Sequence, residues 1–393
     1  MKVAILTDND FGKVNGVTTT LRAVIRHAPE DVEPHVYTFA DAAADTDGYT
    51  ALASRGVAIP FYGEMRMYAP RLAALRQRLV ADRVCAIHLT TPGPAGLAAR
   101  QISRSLGLPL IGSYHTELGE YTARLSGSRR LGALMQQYMR WIYGGCQHVL
   151  VPSDVTRQHL VATGWNARRL GVWGRGVDSQ CFSPARRSEA LRRAWQVSDR
   201  RPAILYAGRL SREKGLGLLP ELRRLLHDHH IPHRFILAGD GPMARELHAA
   251  LPDAAFTGTL THDAMGAVMA SCDLFVFPSE TDTAGNVVLE AQAAGLPVLV
   301  TDLGGPRENM QDRLTGYVCR AGSERDFCWR VAELLVDPDR RARMSEAARA
   351  YAVTRGWSGS LQPLFDCYRS TLRTASAQST ARVSAPPRAA AHV

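Results

Sequence analysis

No stretch of this chain approaches the run of consecutive apolar residues needed to cross a bilayer as a helix, so no membrane-spanning segment is expected. The start, MKVAILTD, reads as a first strand; Asp8 ends it too early for a signal peptide, and the expected location is the cytoplasm, with a peripheral position on the inner face of the cell membrane as a further option. The seven cysteines are an odd number, scattered from Cys85 to Cys367 without metal-type spacing, and Cys319 and Cys328 are too far apart for a Cys-x-x-Cys pair. They read as reduced thiols. Aromatic residues make up 7% of the chain and do not interleave with the arginines, which makes nucleic acid the least favoured partner. Acid is also short: 37 Asp and Glu against 47 Lys and Arg leave a formal charge of +10, an excess that suits anionic lipid or a phosphorylated substrate.

What remains is an ordinary globular composition, 46% apolar and 21% charged, in 393 residues. That length exceeds the usual limit of a single core and predicts two domains. Apolar runs alternate with helical patterns through the first half (Val3–Leu6, Thr18–Arg26, His35–Phe39, Ile87–Leu89, Ala95–Leu106, Leu108–Ile111, His148–Val151). The second half repeats the style (Ala203–Ala207, Leu216–Leu226, Phe235–Ala238, Met243–Leu251, Leu274–Phe277, Val287–Ala294, Pro297–Thr301). Alternation of this kind predicts parallel βαβ units: an α/β chain of two doubly wound domains facing across a cleft, with ligand at the strand ends. The expected divisions are 1–176, 177–356, a last helix over 357–373, and a disordered tail over 374–393, rich in Ala, Ser, Pro and Arg without periodicity.

Two segments carry chemistry. AGRLSREKG (207–215) follows the β-branched run and sets Arg209 and Lys214 just past a strand end, where cations meet a diphosphate. PSETDTAGNVVLEAQAAGLP (278–297) leaves another strand, turns through Thr283, Ala284 and Gly285, and opens a helix bearing Glu290. Gly285 and Asn286 at the helix start allow backbone N–H groups close to an anion. One turn on, the Glu290 carboxylate would accept hydrogen bonds from vicinal sugar hydroxyls, such as those of a ribose. Taken singly, Glu290 is also a plain helix glutamate and Arg209 and Lys214 a basic turn; two such segments in one chain favour a nucleotide-diphosphate pocket.

With these motifs in view, the chain resembles the retaining GT-B glycosyltransferases of family 4. The likeness lies in GRLSREKG (208–215), the GDGP turn (239–242), PS-x5-GNVVLEAQAAGLPV from Pro278, GVD with FSP (176–184) and NGV (15–17), and it spans nearly the whole chain. SYHTELGEY (113–121) and TDTAGNVVLE (281–290) resemble the branch of GDP-mannose-dependent α-mannosyltransferases, whose relatives include sulfoquinovosyl-diacylglycerol synthases. The resemblance implies that Arg209 and Lys214 hold the donor diphosphate, Glu290 the ribose, and the N–H groups of Ala284, Gly285 and Asn286 the transferred hexose. Gly16, Gly208, Gly241, Asp282 and Thr283 join the donor site by the same reading, and His115 contacts the sugar. It further implies that the helix after Trp357 crosses back to the first domain. Two positions depart from the family pattern: Thr283 stands where a second glutamate is usual, seven residues before Glu290, and Ala284 where an aromatic is more frequent.

Charge develops on the leaving diphosphate, so Arg209 and Lys214 are where electrostatic stabilisation is expected to be largest. No metal and no cofactor are expected; Asp8 and Asp10 form an Asp-x-Asp pair but read as loop and cap residues. Glu117 and Glu120 are the carboxylates to examine for a double displacement, Asp178 reads as a turn residue, and Arg175 as an addition to the phosphate site. The expected function is transfer of a hexose, mannose from GDP-mannose, to a lipid-linked or glycolipid acceptor. The alternatives are a UDP-sugar-dependent glycosyltransferase of glycolipid or polysaccharide synthesis and a non-catalytic sugar-nucleotide or lipid-binding protein; an epimerase would need acid/base groups and a phosphorylase a pyridoxal lysine that no segment argues for. Two arginine-rich stretches, Glu64–Arg83 with Leu72, Leu75 and Leu79, and Arg124–Arg140 with Leu131, Leu134 and Tyr138, read either as helices packed on a core or as a face for an anionic membrane.

Overall fold

Short runs that are apolar at every position, such as AILYA at 203–207 and LFVF at 274–277, can only be satisfied by burial on both faces, and both are fully buried strands of a parallel sheet. The computed structural model describes residues 1–11, 16–59 and 62–384. The chain divides into two units: Met1–Val151, Gly164–Trp173 and Gln362–Val393 form the first, Pro152–Thr163 and Gly174–Leu361 the second.

In chain order the elements are β1 (Lys2–Leu6), α1 (Gly16–Arg26), β2 (Glu33–Ala40), β3 (Ala44–Thr46), β4 (Tyr49–Ala53), β5 (Gly56–Ile59), β6 (Tyr62–Tyr68), α2 (Leu72–Ala81), β7 (Ala86–Leu89), α3 (Pro94–Leu106), β8 (Leu110–Ser113), α4 (Leu118–Ser126), α5 (Arg129–Tyr143), β9 (His148–Val151), α6 (Asp154–Ala162) and β10 (Leu170–Val172). There follow α7 (Glu189–Ala194), β11 (Ala203–Ala207), α8 (Leu218–Asp228), β12 (Arg234–Ala238), α9 (Ala244–Ala250), β13 (Ala255–Gly258), α10 (His262–Ala270), β14 (Leu274–Phe277), α11 (Asn286–Ala293), β15 (Val298–Thr301), β16 (Gly316–Cys319), α12 (Glu324–Val336), α13 (Pro338–Val353) and α14 (Trp357–Ser384).

The first unit's sheet has the order β10-β9-β8-β7-β1-β2-β4-β3, parallel except for the β3–β4 pair, and β5 and β6 form a separate antiparallel ribbon. The second unit's sheet is β13-β12-β11-β14-β15-β16, parallel throughout. Apart from the antiparallel β3–β4 edge, the strand order in each reverses once, between β1 and β7 and between β11 and β14. From Gln362 onward α14 counts with the first unit, and there the Tyr368 hydroxyl lies 2.6 Å from Nδ1 of His88, whose Nε2 lies 2.6 Å from the Ser113 hydroxyl. Burial pushes His88 down to about 3, so the imidazole is a neutral fastener and takes no part in titration near neutrality.

Several expectations need correction. The tail does not lose structure at residue 374: α14 continues to Ser384, because TASAQSTARVS holds no helix breaker before Pro386. The Glu64–Arg83 stretch is not one helix; Tyr62–Tyr68 is strand, and Pro70, which disfavours helix at the residue before it, separates it from α2. Arg124–Arg140 is broken by Gly127 in the left-handed conformation (φ 65°) into α4 and α5. There Leu131 and Leu134 face solvent, while Gly132, Met139, Ile142 and Tyr143 are buried. The half-buried strand β13, together with α10, β16 and α12, was not anticipated.

Candidate active site

In an open parallel sheet the loops leaving two adjacent strands diverge where the strand order reverses, and the crevice at their carboxyl ends receives ligand. In the second unit that point lies between β11 and β14. The loop leaving β11 carries Gly208, Arg209 and Lys214; the loop leaving β14 carries Asp282, Thr283, Ala284 and Gly285 and runs into α11. The fold thus brings the two chemical segments side by side.

Their junction is made of backbone. A Cβ on Gly215 (φ 71°) would come 2.2 Å from the Pro278 carbonyl oxygen, so only glycine lets the loops close this tightly. Across the junction Thr281 Oγ1 donates to the Glu213 carbonyl at 3.2 Å, and Lys214 Nζ donates to both carboxylate oxygens of Asp282, at 2.9 and 2.8 Å. Lys214 and Asp282 are 21% and 23% exposed, which makes the pair half-buried and open to an incoming anion. Beneath them, the Tyr206 hydroxyl donates to the Arg209 carbonyl at 2.9 Å, and its ring stacks on Phe277 with planes 11° apart. The GDGP turn lies against the first loop: Leu210 N donates to the Asp240 carbonyl and Met243 N to the Leu210 carbonyl, both at 2.9 Å. Gly208 N is engaged by the Ala238 carbonyl and Gly241 N by Asp240 Oδ1, so these two glycines shape the turn and their amides already have acceptors.

Gly285 is the N-cap of α11, with φ 69° and ψ 48°. It has no side chain to satisfy the first-turn amides, and that turn contains no acidic residue, so the positive end of the helix dipole is not neutralised from within. A third loop, leaving β15, braces it: Gly305 N donates to the Asp282 carbonyl at 2.8 Å, and buried Asn309 donates through Nδ2 to the Ala284 and Gly285 carbonyls. Thr283, in the position of the missing glutamate, is 8% exposed. Glu290 lies one turn further along. Among the described residues no side-chain hydrogen bond engages its carboxyl, and desolvation pushes its pKa up to about 7. Although the carboxyl is deeply set, the residue keeps part of its surface open. A cavity of about 860 Å³ runs along α12 beside Trp329 and Arg330, and none of the expected site residues lines it.

In the first unit, His115 follows β8, and its ring meets Trp173 edge-on with centroids 5.9 Å apart. Gly16 begins α1, with open space where a Cβ would stand; Asn15 lies outside the described residues. Asp8 is a cap residue, as expected: Oδ1 accepts from Ala95 N at 2.7 Å and Oδ2 from Thr91 Oγ1 at 2.6 Å. Burial raises its pKa, opposed by those hydrogen bonds. Asp178 Oδ1 accepts from Gln180 N and Cys181 N, both at 3.0 Å, a turn role. Arg175 is 3% exposed and pushed down to about 9 by burial. Glu117 and Glu120 stand at the N-terminus of α4. Asn309 and the Gly304–Gly305 pair escaped the sequence reading; the only signal was a double glycine after an apolar strand.

Comparison with known proteins decides the family. The profile described as Glycosyltransferase Family 4 matches residues 14–181, and Glycosyl transferases group 1 matches 187–351. A GDP-mannose-dependent alpha-mannosyltransferase of Mycolicibacterium smegmatis is 30% identical over 384 residues, covering 95% of this chain and 98% of the relative. The chain belongs to glycosyltransferase family 4. Another relative, the sulfoquinovosyl transferase SQD2 of Arabidopsis thaliana, is 31% identical over 371 residues, 91% of this chain and 71% of that protein. The structure of Anabaena HepE with UDP and glucose matches with a TM-score of 0.75 at 20% identity, covering 94% of this chain and all of that one. Sucrose-phosphate synthase from Thermosynechococcus elongatus matches at 0.76 and 17%, covering 95% and 99%. This family 4 hexosyltransferase therefore has the GT-B fold, two Rossmann-like domains with parallel sheets. Among the described residues, no helix is long and apolar enough to cross a membrane.

Proposed function

We propose that this glycosyltransferase moves mannose from GDP-mannose, with retention of configuration and without a bound metal, to a lipid-linked or glycolipid acceptor. The observation that carries the reading is the β11/β14 crevice, where Lys214 is paired with Asp282 beside a glycine-capped helix that bears an unengaged carboxyl. Several relatives named as GDP-mannose-dependent alpha-mannosyltransferases support the choice of donor.

Scission of the glycosyl phosphate bond leaves negative charge on the diphosphate and positive character on the sugar carbon. Arg209 and Lys214 oppose the first, and the N-terminal end of α11 adds a fixed dipole, so the charge a metal would otherwise supply comes from the chain. Asp282 holds the Lys214 ammonium in place until a phosphate oxygen takes a share of it. Glu290 receives the ribose hydroxyls, and the amides around Ala284, Gly285 and Asn286, together with the Thr283 hydroxyl, face the hexose. His115 positions that hexose. The leaving diphosphate takes the acceptor proton on the same face, which retains configuration without an enzymic nucleophile; a double displacement would instead call on Glu117 or Glu120. Base identity is read by backbone around Gly239–Pro242 and Phe256–Leu260.

A second reading, transfer of a sugar other than mannose, is supported by the likeness to the sulfoquinovosyl transferase, with a UDP-sugar as the alternative donor. Turnover of GDP-mannose, UDP-glucose and UDP-galactose, with and without anionic lipid vesicles and with Glu290→Ala as control, tests both. The expected result is nucleotide release from GDP-mannose that is lost in the control and unchanged by EDTA. Release from a UDP-sugar alone would replace the donor assignment, and tight binding without release from any donor would replace the enzyme by a binding protein.

A further inference from the structure

The single helical turn Pro306–Asn309, after β15, braces the donor loop and is itself held by a second element. Toward the donor loop the contact is backbone on backbone: a Cβ on Gly305 would stand 2.0 Å from the Thr283 carbonyl oxygen, and one on Gly304 2.5 Å from that of Asp282. Asn309 adds its bonds to the Ala284 and Gly285 carbonyls, and its own carbonyl accepts from Gln292 Nε2 of α11 at 2.5 Å. Between these two residues, half-buried Glu308 is engaged elsewhere. Its Oε2 accepts from Asp154 N at 2.8 Å and its Oε1 from Val155 N at 2.5 Å, the first two amides of α6. Ser153 Oγ takes the third, from Thr156, at 3.2 Å. Helix ends are ordinarily satisfied by local side chains, and α6 already has Ser153 as its cap and Asp154 in its first turn. A carboxylate brought from 154 residues away does something more: it ties the bracing turn to α6.

We propose that Glu308 is a positioning residue for hexose transfer, which pins the Pro306–Asn309 turn to α6 and, through Gly305 and Asn309, aims the amides at the start of α11. A peptide unit is planar, so a carbonyl held on one side fixes the N–H of the next residue on the other. The carbonyls held here belong to Asp282, Ala284 and Gly285, and the amides they aim are therefore those of Thr283, Gly285 and Asn286. The proposal rests on the reading, given above, that this turn faces the hexose. It also gives α6 a part in the donor site: Pro152–Thr163 counts with the second unit, although β9 and β10, before and after it in sequence, belong to the first. GDP carries no hexose, so loss of Glu308 should act on turnover and spare the affinity for GDP.

Hydrogen–deuterium exchange of the full chain, without donor, reads the linkage directly. In Glu308→Gln one of the two α6 amides meets an NH2 group in place of an acceptor. Exchange should quicken about tenfold or more over both 153–160 and 282–289, with β11 unchanged as the sign of an intact fold. Faster exchange over 153–160 alone would make Glu308 a cap of α6 and nothing else, and would overturn the proposal. In turnover of GDP-mannose, kcat should fall about tenfold, the cost of slightly misaimed groups, while GDP affinity measured by calorimetry stays close to wild type. An unchanged kcat would also overturn it. The double variant with Asn309→Ala should be no slower than Asn309→Ala alone, because both residues act through one turn; losses that multiply would give Glu308 another route. Lys214→Ala in the same assays keeps the two readings apart. GDP binding that survives Lys214→Ala removes the donor-site reading, whereas binding lost there beside an unaltered Glu308→Gln removes this proposal alone.

Discussion

In the first unit the helix that follows β7, beside β1, has its N-terminus capped from outside by Asp8, whose carboxylate reaches Ala95 N and Thr91 Oγ1. In the second unit the corresponding helix follows β14, beside β11, and its cap is Gly285, which has no side chain to offer. Both helices occupy the same topological point and carry the same dipole. One spends that dipole on a carboxylate built into the fold; the other presents it next to Lys214. The difference teaches where a diphosphate belongs: a helix end already holding Asp8 has little left to give an anion, and topology alone would not have told the two apart.

The comparison is broken most severely by Lys214→Ala, which removes the cation and leaves Asp282 without its partner; kcat/KM for the donor should fall by about 10²–10³-fold. Gly285→Ala comes next. A Cβ there would sit 2.8 Å from Pro306 Cγ at a φ of 69°, costing about 1–3 kcal/mol of stability. Shifting the adjacent amides should reduce transfer by about 10²-fold, the loss typical of a misplaced reacting group. Thermal unfolding and steady-state rates check both.

Glu290→Gln should raise the donor KM by about 10–100-fold, as expected for loss of a charged acceptor to the ribose. Its pH behaviour is more telling. The carboxyl is held up at about 7 by burial, so between its ordinary value of 4.5 and about 7 the unfolded chain is ionised while the folded one keeps its proton. This group's contribution to stability therefore falls as pH rises through that window, whereas donor affinity rises as the ionised acceptor appears. Glu290→Gln should flatten both trends and raise Tm at pH 8. The smallest functional effect is expected from Asp8→Ala: a loss of about 1–2 kcal/mol of stability with the cap, and little change in donor affinity.

Most of the second unit was legible because its signals are local. Ala203–Ala207 and Leu274–Phe277 are continuous apolar runs with glycine-rich turns after them, and the strands fall on those residues. The outer helices of the first unit were not, for a reason visible at Gly132. A Cβ there would come 2.7 Å from Ala123 Cβ and 2.9 Å from the Gly119 carbonyl oxygen, so α4 and α5 pack through small residues. Periodic leucines mark a stripe on a helix without saying which way it faces; in α5 small residues, Met139, Ile142 and Tyr143 took the core, and Leu131 and Leu134 were left outside. Nor does spacing disclose a brace such as Asn309, since a side chain bonding two carbonyls some 25 residues upstream leaves no period. The Lys214–Asp282 pair was half legible: both residues were expected at the donor site, but not as each other's partners.

The assignment of the β11/β14 crevice as the diphosphate site is tested most directly by the affinity of GDP for the wild-type chain, Lys214→Ala and Asp8→Ala, measured by titration calorimetry. The prediction is a loss of about 10²-fold or more in the lysine variant and near-wild-type affinity in the aspartate variant. Undiminished GDP binding by Lys214→Ala, or an equal loss in both variants, would contradict it.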